Sequence, residues 1–237
     1  STVDGQIFPY GSGSDGPVAL FTDEAAAIAL ATEGSPTPHV GGVWSYYNDS
    51  SASNLLKCAD DAAFSFAGAG GMSVGAWVKM TEALGTKRTV ISKYDATGAL
   101  EDREYSFDIG TDGKLIMELY DETNNASEIA TSTGTALTPF IWQFVVATYD
   151  GTAATPTVNL YLNATSVHDG TTAETGAFAD MVDGATPCAI GGQIYAASVE
   201  QELEGRIALP FLCGKALTAA EVTTIYNLGR KLLGLSN

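Results

Sequence analysis

Glu200, Glu202 and Glu204 stand in the run Glu200-Gln201-Glu202-Leu203-Glu204, and their type and spacing could do chemistry. Side chains alternate across a strand, so in an extended conformation all three carboxylates share one face. Carboxylates placed in this way can cleave a glycoside, one attacking the sugar carbon while another protonates the leaving oxygen. The alternative is an acidic edge ahead of the last strand. Two features favour that alternative: the run lies near the C-terminus, and no tryptophan cluster stands beside it in sequence to stack a sugar. No catalytic residue is therefore predicted, and the chain is expected not to be an enzyme.

Aromatic residues offer a different chemistry. Trp44, Tyr46 and Tyr47, in Trp44-Ser45-Tyr46-Tyr47, form a candidate platform for a sugar ring and are the predicted ligand-binding residues. Trp77 and Trp142 lie within apolar runs and are expected in the core. Asp60-Asp61, Asp95, Asp102, Asp121 and Asp150 fall in or beside turns, where an aspartate bonds neighbouring backbone amides. The calcium-loop pattern of alternating acids around a glycine is absent, so no metal ligand and no cofactor are predicted, although calcium stays open. His39 and His168 have no serine or cysteine in a nucleophile-elbow context. Asn48-Asp49-Ser50, Asn125-Ala126-Ser127 and Asn163-Ala164-Thr165 match the glycosylation acceptor pattern and are read as exposed turns.

Cys58, Cys188 and Cys213 sit among apolar or small residues and read as buried small hydrophobes rather than bridges. Folding in a reducing cytoplasm is the expectation. Ser1-Thr2-Val3-Asp4-Gly5 carries neither the basic region nor the apolar run of a signal peptide, and Ser1 fits a trimmed initiator methionine. No apolar run is long enough to cross a membrane as a helix. The chain has 28 acidic against 11 basic residues, a formal charge of −17. Such a surface repels phosphate backbones and anionic membranes, so neither is an expected partner. Hydrophobic residues at 45% with 16% charged residues describe an ordered globular protein, and 237 residues can form one large β domain.

The elements that must position these groups are mostly strands. Met72 to Met80 alternates, with Met72, Val74, Ala76, Val78 and Met80 facing one way and Trp77 and Lys79 the other. Leu55 to Cys58, Thr89 to Lys93, Tyr105 to Ile109, Lys114 to Tyr120, Val158 to Leu162, Ala189-Ile190 and Arg206 to Leu212 read likewise. Asp112-Gly113 supplies a hairpin turn. Phe140 to Tyr149 is almost wholly apolar and reads as a central strand covered on both faces. Thr218 and Glu221 form a capping box for a C-terminal helix that Gly229 interrupts. A short N-terminal helix is predicted over Asp23 to Thr32. Residues 1–40 are thus expected to be an arm with a helical segment, and 41–237 one sandwich domain.

Several segments resemble one family in the right order. Met72-Ser73-Val74-Gly75-Ala76-Trp77-Val78-Lys79 is similar to its "M-T-V-S-A-W-V-K" strand, and Val90-Ile91-Ser92-Lys93-Tyr94-Asp95 to its "L-I-S-K-Y-D". Trp142 to Gly151 is similar to "W-H-H-V-A-A-T-Y-D-G", and Asn159 to Asn163 to "L-Y-V-N-G". The ending from Glu204-Gly205-Arg206-Ile207 through Leu217-Thr218-Ala219-Ala220-Glu221 resembles "F-x-G-x-I-D-E-V-R-I-Y-N-R-A-L-S-A-A-E-I". The family is the laminin-G-like, concanavalin-A-like jelly roll, and the resemblance spans Leu55 to Gly229. It implies an all-β, two-sheet antiparallel sandwich closed by a short helix. An acid that helps hold calcium in relatives is Ala208 here, which puts that site in doubt. Laminarinase-type relatives carry "E-x-D-x-E", whereas the middle residue of the trio here is Glu202.

The resemblance implies a recognition or assembly module. The expected setting is a bacteriophage virion surface, as a capsid decoration or fibre protein folded in the host cytoplasm, with a capsid or other virion protein as partner. The alternative is a secreted carbohydrate-binding adhesion module facing a cell-surface glycan. A retaining β-glucan hydrolase is the third reading. Self-association is left open.

Overall fold

A computed structural model describes residues 44–48 and 55–235, except 68–69, 96–101, 135–136, 152–156, 169–171 and 196–197, together with three short strands near the N-terminus. The predicted helix over Asp23 to Thr32 lies outside the described residues, as does most of the 1–40 arm. The short strands are β1 (Pro9–Tyr10), which pairs with β2 (Val18–Ala19), and β3 (Thr37–Pro38). The main strands begin with β4 (Trp44–Asn48), β5 (Leu56–Cys58), β6 (Met72–Met80), β7 (Arg88–Asp95), β8 (Asp102–Ile109) and β9 (Leu115–Asp121). Next come β10 (Ala126–Thr131), β11 (Gln143–Tyr149), β12 (Val158–Leu162), β13 (Thr165–Ser166) and β14 (Thr172–Thr175). The last are β15 (Cys188–Ile190), β16 (Gln193–Tyr195), β17 (Ser198–Glu200) and β18 (Gly205–Cys213), followed by the helix α1 (Ala219–Leu232).

Apart from the separate β1–β2 pair, these strands form two sheets face to face, antiparallel except where β16 meets β7. One runs β13-β12-β11-β6-β18-β4-β3; the other runs β14-β10-β9-β8-β7-β15-β5, with β16 and β17 attached beside β7. Alternation along β6 does what the sequence predicts. Met72, Val74, Ala76, Val78 and Met80 enter the core between the sheets, while Trp77 packs on the outer face in a second cluster with Phe144, Val146 and Val222. The helix covers that outer face. Its N-terminus is capped as expected, with the Thr218 hydroxyl accepting from the Glu221 amide and the Glu221 carboxylate accepting from the Thr218 amide.

Three differences from the sequence reading have physical causes. The helix runs through Gly229 to Leu232 instead of stopping there. The apolar run 140–149 divides: β11 starts at Gln143 and is buried throughout, whereas Phe140 and Ile141 lie in the preceding turn, exposed at 60% and 51%. The strands β10, β14, β16 and β17 were not foreseen, because short or polar strands such as Thr172–Thr175 lack the apolar alternation that marks a strand in sequence. Cys58 and Cys188 are buried free thiols that face each other directly across β5 and β15. Asn48 is no exposed turn either: its side chain is buried and its amide donates to the Gly191 carbonyl at 2.8 Å.

Candidate outer-face groove

The strand alternation expected for the acid trio is broken. Gln201 has φ +50, a left-handed kink between β17 and β18 that breaks the alternation between Glu200 and the two glutamates after it. Glu200 is exposed, Glu202 is buried, and Glu204 is held by Arg88 Nη2 at 3.2 Å. The same arginine pairs with Glu82 and donates from Nη1 to the Glu202 backbone carbonyl. Glu202, through its carbonyl, and Glu204 thus tie the β17–β18 connection to Arg88 of β7, while Glu200 stands exposed at the end of β17.

Other acids are bound up in the same way. Asp61 caps the 3-10 turn Ala62–Phe64, its carboxylate accepting from the Ala63 amide. Asp60, Glu104 and Asp183 converge on the Lys93 ammonium at 3.1, 3.2 and 3.6 Å, and that ammonium also donates to the Gly184 carbonyl. The cation that these oxygens hold is thus supplied by the chain itself. Among the described residues, no group of three or more His, Cys, Asp or Glu side chains is arranged to hold a metal ion. Ala208, the position where relatives carry an acid, is buried opposite Trp77 in the outer cluster. His168 is tied through Nδ1 to the Val158 carbonyl at 2.8 Å.

Asp108 and Glu118 share Lys87, at 3.0 and 2.7 Å, and the Thr89 and Ser106 hydroxyls donate to Asp108. Burial nonetheless pushes the Asp108 carboxyl up from 3.8 to about 6. An unfolded aspartate ionises near pH 4. The folded state therefore holds this proton more tightly, and the contribution of Asp108 to stability falls as pH rises from about 4 through about 6. Urea midpoints of the wild type and Asp108→Asn between pH 4 and 7 test this. The wild type should lose stability relative to the variant across that window; a pH-independent difference would contradict it.

The predicted platform residues are placed as follows. Tyr46 points into the core between the sheets and is 8% exposed, while Tyr47 lies on the opposite, outer face. The side chain of Trp44 lies outside the described residues. Tyr47 is joined by Arg206, its cross-strand partner, whose guanidinium sits 5.1 Å from the ring centroid. Arg206 in turn faces Lys79 on β6. Gln143 faces Val78, which brings the preceding residue, Trp142, to the level of Lys79. A row of side chains therefore crosses the outer face from Tyr47 through Arg206 and Lys79 to Trp142.

That row runs into a groove of about 460 Å³ beside the helix. The strand β6 supplies Trp77 and Lys79, the turn before β11 supplies Phe140, Ile141 and Trp142, and the C-terminal region supplies Tyr226, Arg230 and Leu235. Its volume falls within the roughly 300–1,000 Å³ of small-molecule sites. The turn is pinned. The Phe140 amide donates to the Met80 carbonyl at 2.9 Å, and the Thr138 amide donates to the Gln143 side chain at 2.6 Å. Phe140 has φ +69, a left-handed conformation that a bulky residue rarely adopts. Trp77 stacks on Tyr226 with ring centroids 5.4 Å apart and an interplanar angle of 11°. Asn163, also in the lining, sits at a tight turn with φ +51 and accepts from the Phe144 amide.

Sequence reasoning missed this groove because Phe140-Ile141-Trp142 continues into a core strand without a polar break. The one local signal is Pro139, which favours a turn at the start of that run.

Comparison with known proteins is consistent with the fold. The family Laminin_G_3, described as the concanavalin A-like lectin/glucanases superfamily, matches residues 50–223. No curated protein matches the sequence. Among solved structures, the CBM40 of a Ruminococcus gnavus IT-sialidase is similar at a TM-score of 0.53 and 15% identity, over 67% of this chain and 84% of that one. The same CBM40 has been solved bound to α2,3-sialyllactose. The binding domain of Paraclostridial Mosquitocidal Protein 1 is similar at a TM-score of 0.56 and 12% identity, over 95% of this chain and 52% of that one. The botulinum neurotoxin serotype G binding domain follows at 0.53 and 13%, over 79% of this chain and 43% of that one. The chain thus spans about half the length of the toxin domains it matches.

Proposed function

Because the chain belongs to the concanavalin A-like lectin/glucanases superfamily, we propose that it is a non-enzymatic recognition module that binds carbohydrate in the outer-face groove. The observation that carries this reading is the Phe140–Trp142 turn. It holds two large apolar side chains in solvent at 60% and 51% exposure, at the cost of a left-handed backbone at Phe140. Strain retained beside a concave aromatic surface fits a ligand clamp. The glycan-bound CBM40 of the same fold supports the substrate class. The break in the acid trio, with Glu204 held by Arg88 and Glu202 buried, supports a binding role over hydrolysis.

Phe140→Gly separates function from stability. Glycine relieves a left-handed conformation that costs a bulky residue about 1–2 kcal/mol. The variant should therefore unfold at the same or higher urea concentration, yet lose binding on a glycan array. Trp142→Ala should weaken binding by about tenfold or more, as expected for a central aromatic contact. An array blank for the wild type, or binding unchanged in both variants, would refute the carbohydrate reading.

A second reading concerns the setting. We infer that the module works on a bacteriophage virion surface, anchored to a capsid or other virion protein through its N-terminal arm. The charge of −17 supports this by disfavouring contact with packaged nucleic acid, and the free thiols facing each other at Cys58 and Cys188 support folding in a reducing compartment. Deleting residues 1–17 should abolish docking on the particle while leaving the unfolding transition of the sandwich intact. A truncated chain that still coats particles would sink it.

A further inference from the structure

We propose that the groove selects anionic glycans, with a carboxylate of the sugar held by Lys79 and Arg230 while its ring lies against the Phe140–Trp142 turn. This rests on the carbohydrate reading above and goes beyond it by assigning the charge of the ligand. The chain has only 11 basic residues against 28 acidic ones, yet two of the 11 line this one groove and, among the described residues, no carboxylate side chain does. A third, Arg206, stands next to Lys79 in the cross-strand row. On a protein of charge −17, a cationic groove is where an anion is drawn in, because the surrounding acidic surface disfavours its approach elsewhere.

The two cations differ in how they are held. Arg230 lies over the Tyr226 ring at 5.5 Å, which orients its guanidinium along the helix side of the groove. Lys79 has no carboxylate partner among the described residues, whereas Lys87, Arg88, Lys93 and Arg103 are each paired with one. Lys79 is half-buried and lines the groove together with Trp77, two residues before it on the same face of β6. An ammonium and a guanidinium flanking an aromatic shelf form a receptor for a carboxylate attached to an apolar ring face. Among the described lining residues the side-chain acceptors are the Tyr226 hydroxyl and Asn163, whose oxygen already accepts from the Phe144 amide, which disfavours a neutral polyol whose hydroxyls need acceptors as well as donors.

Calorimetric titration with oligogalacturonates and other carboxylated glycans, each against its neutral parent sugar, tests the assignment. The carboxylated member should bind about tenfold tighter at about 20 mM salt and lose most of that advantage at about 500 mM, where screening is complete within a few ångströms. Lys79→Gln and Arg230→Gln should each lower the acid-to-neutral affinity ratio about tenfold, about 1.4 kcal/mol. Equal affinity for both members of each pair, or an acid preference that survives both substitutions, overturns this inference and leaves the carbohydrate reading standing. Polyglutamate competing as well as the carboxylated glycans would assign the groove to acidic peptide instead. Failure of every sugar to bind would remove both readings together.

Discussion

Lys93→Met is expected to cost about 3–5 kcal/mol, the loss that follows when one partner of a buried ion pair is removed. Lys93 is fully buried, and Glu104 beside it is 1% exposed. Burial already raises the Glu104 carboxyl above its ordinary value, against the opposing pull of the Phe66 amide and the Lys93 ammonium. Without the ammonium, Glu104, Asp60 and Asp183 would surround an empty centre with like charge. The site joins distant parts of the chain, since Lys93 lies on β7, Glu104 on β8, and Gly184 and Asp183 precede β15. Urea unfolding at pH 7 should show the midpoint moving sharply down. Glu104→Gln placed in the Lys93→Met background should recover part of the loss, because it removes the uncompensated charge. A loss below about 1 kcal/mol would mean that water reaches the site and that the cluster is not buried as described.

Gly229→Ala should destabilise the protein by about 1–3 kcal/mol, the range for forcing extra atoms into a packed site. The sign is the reverse of the ordinary one, since exchanging glycine for alanine within a helix gains about 1 kcal/mol. A Cβ at Gly229 would meet Trp77 Cε2 at 2.9 Å and Cδ1 at 3.1 Å, and would lie closer still to Nε1. The indole cannot swing aside cheaply. Tyr226 stacks on it, Phe144 packs at 5.4 Å, and it is 2% exposed. Its N–H has no acceptor among the described residues, so close packing rather than hydrogen bonding holds it against the helix. The expected signature is a lower unfolding midpoint with a change in tryptophan fluorescence, together with weaker ligand binding, because Trp77, Tyr226 and Arg230 line the same groove. An alanine variant as stable as the wild type would show that the helix stands further from β6.

Much of the fold was legible because it depends on local chemistry. The alternation of Met72 to Met80 marked the core face of β6, and Asp112-Gly113 marked a turn in which Gly113 indeed has φ +80 and the Lys114 amide donates to the Asp112 carboxylate. Thr218 and Glu221 marked the helix start. Asn163-Ala164 shows the limit of such signals. Its two left-handed residues, φ +51 and +63, make a tight turn without the glycine usual at the second place, and the Asn163 side chain repays part of the strain by binding the Phe144 amide. That repayment involves a residue far away in sequence, so no local pattern announces it.

The candidate site was far less legible. Tyr46 and Tyr47 are neighbours in sequence, but consecutive strand residues point to opposite faces, and one entered the core. Glu200, Glu202 and Glu204 were aligned only on the assumption of an unbroken strand, which the kink at Gln201 cancels. What the sequence by itself determined was the family, the two-layer β architecture, the helix cap and the overall negative charge, all of which follow from residue type and periodicity. Only the tertiary structure decided that Lys79, Phe140, Trp142 and Arg230 meet. They come from β6, the turn before β11 and α1, and a groove is a relation between surfaces that strand register and helix docking bring together, while periodicity describes one segment at a time.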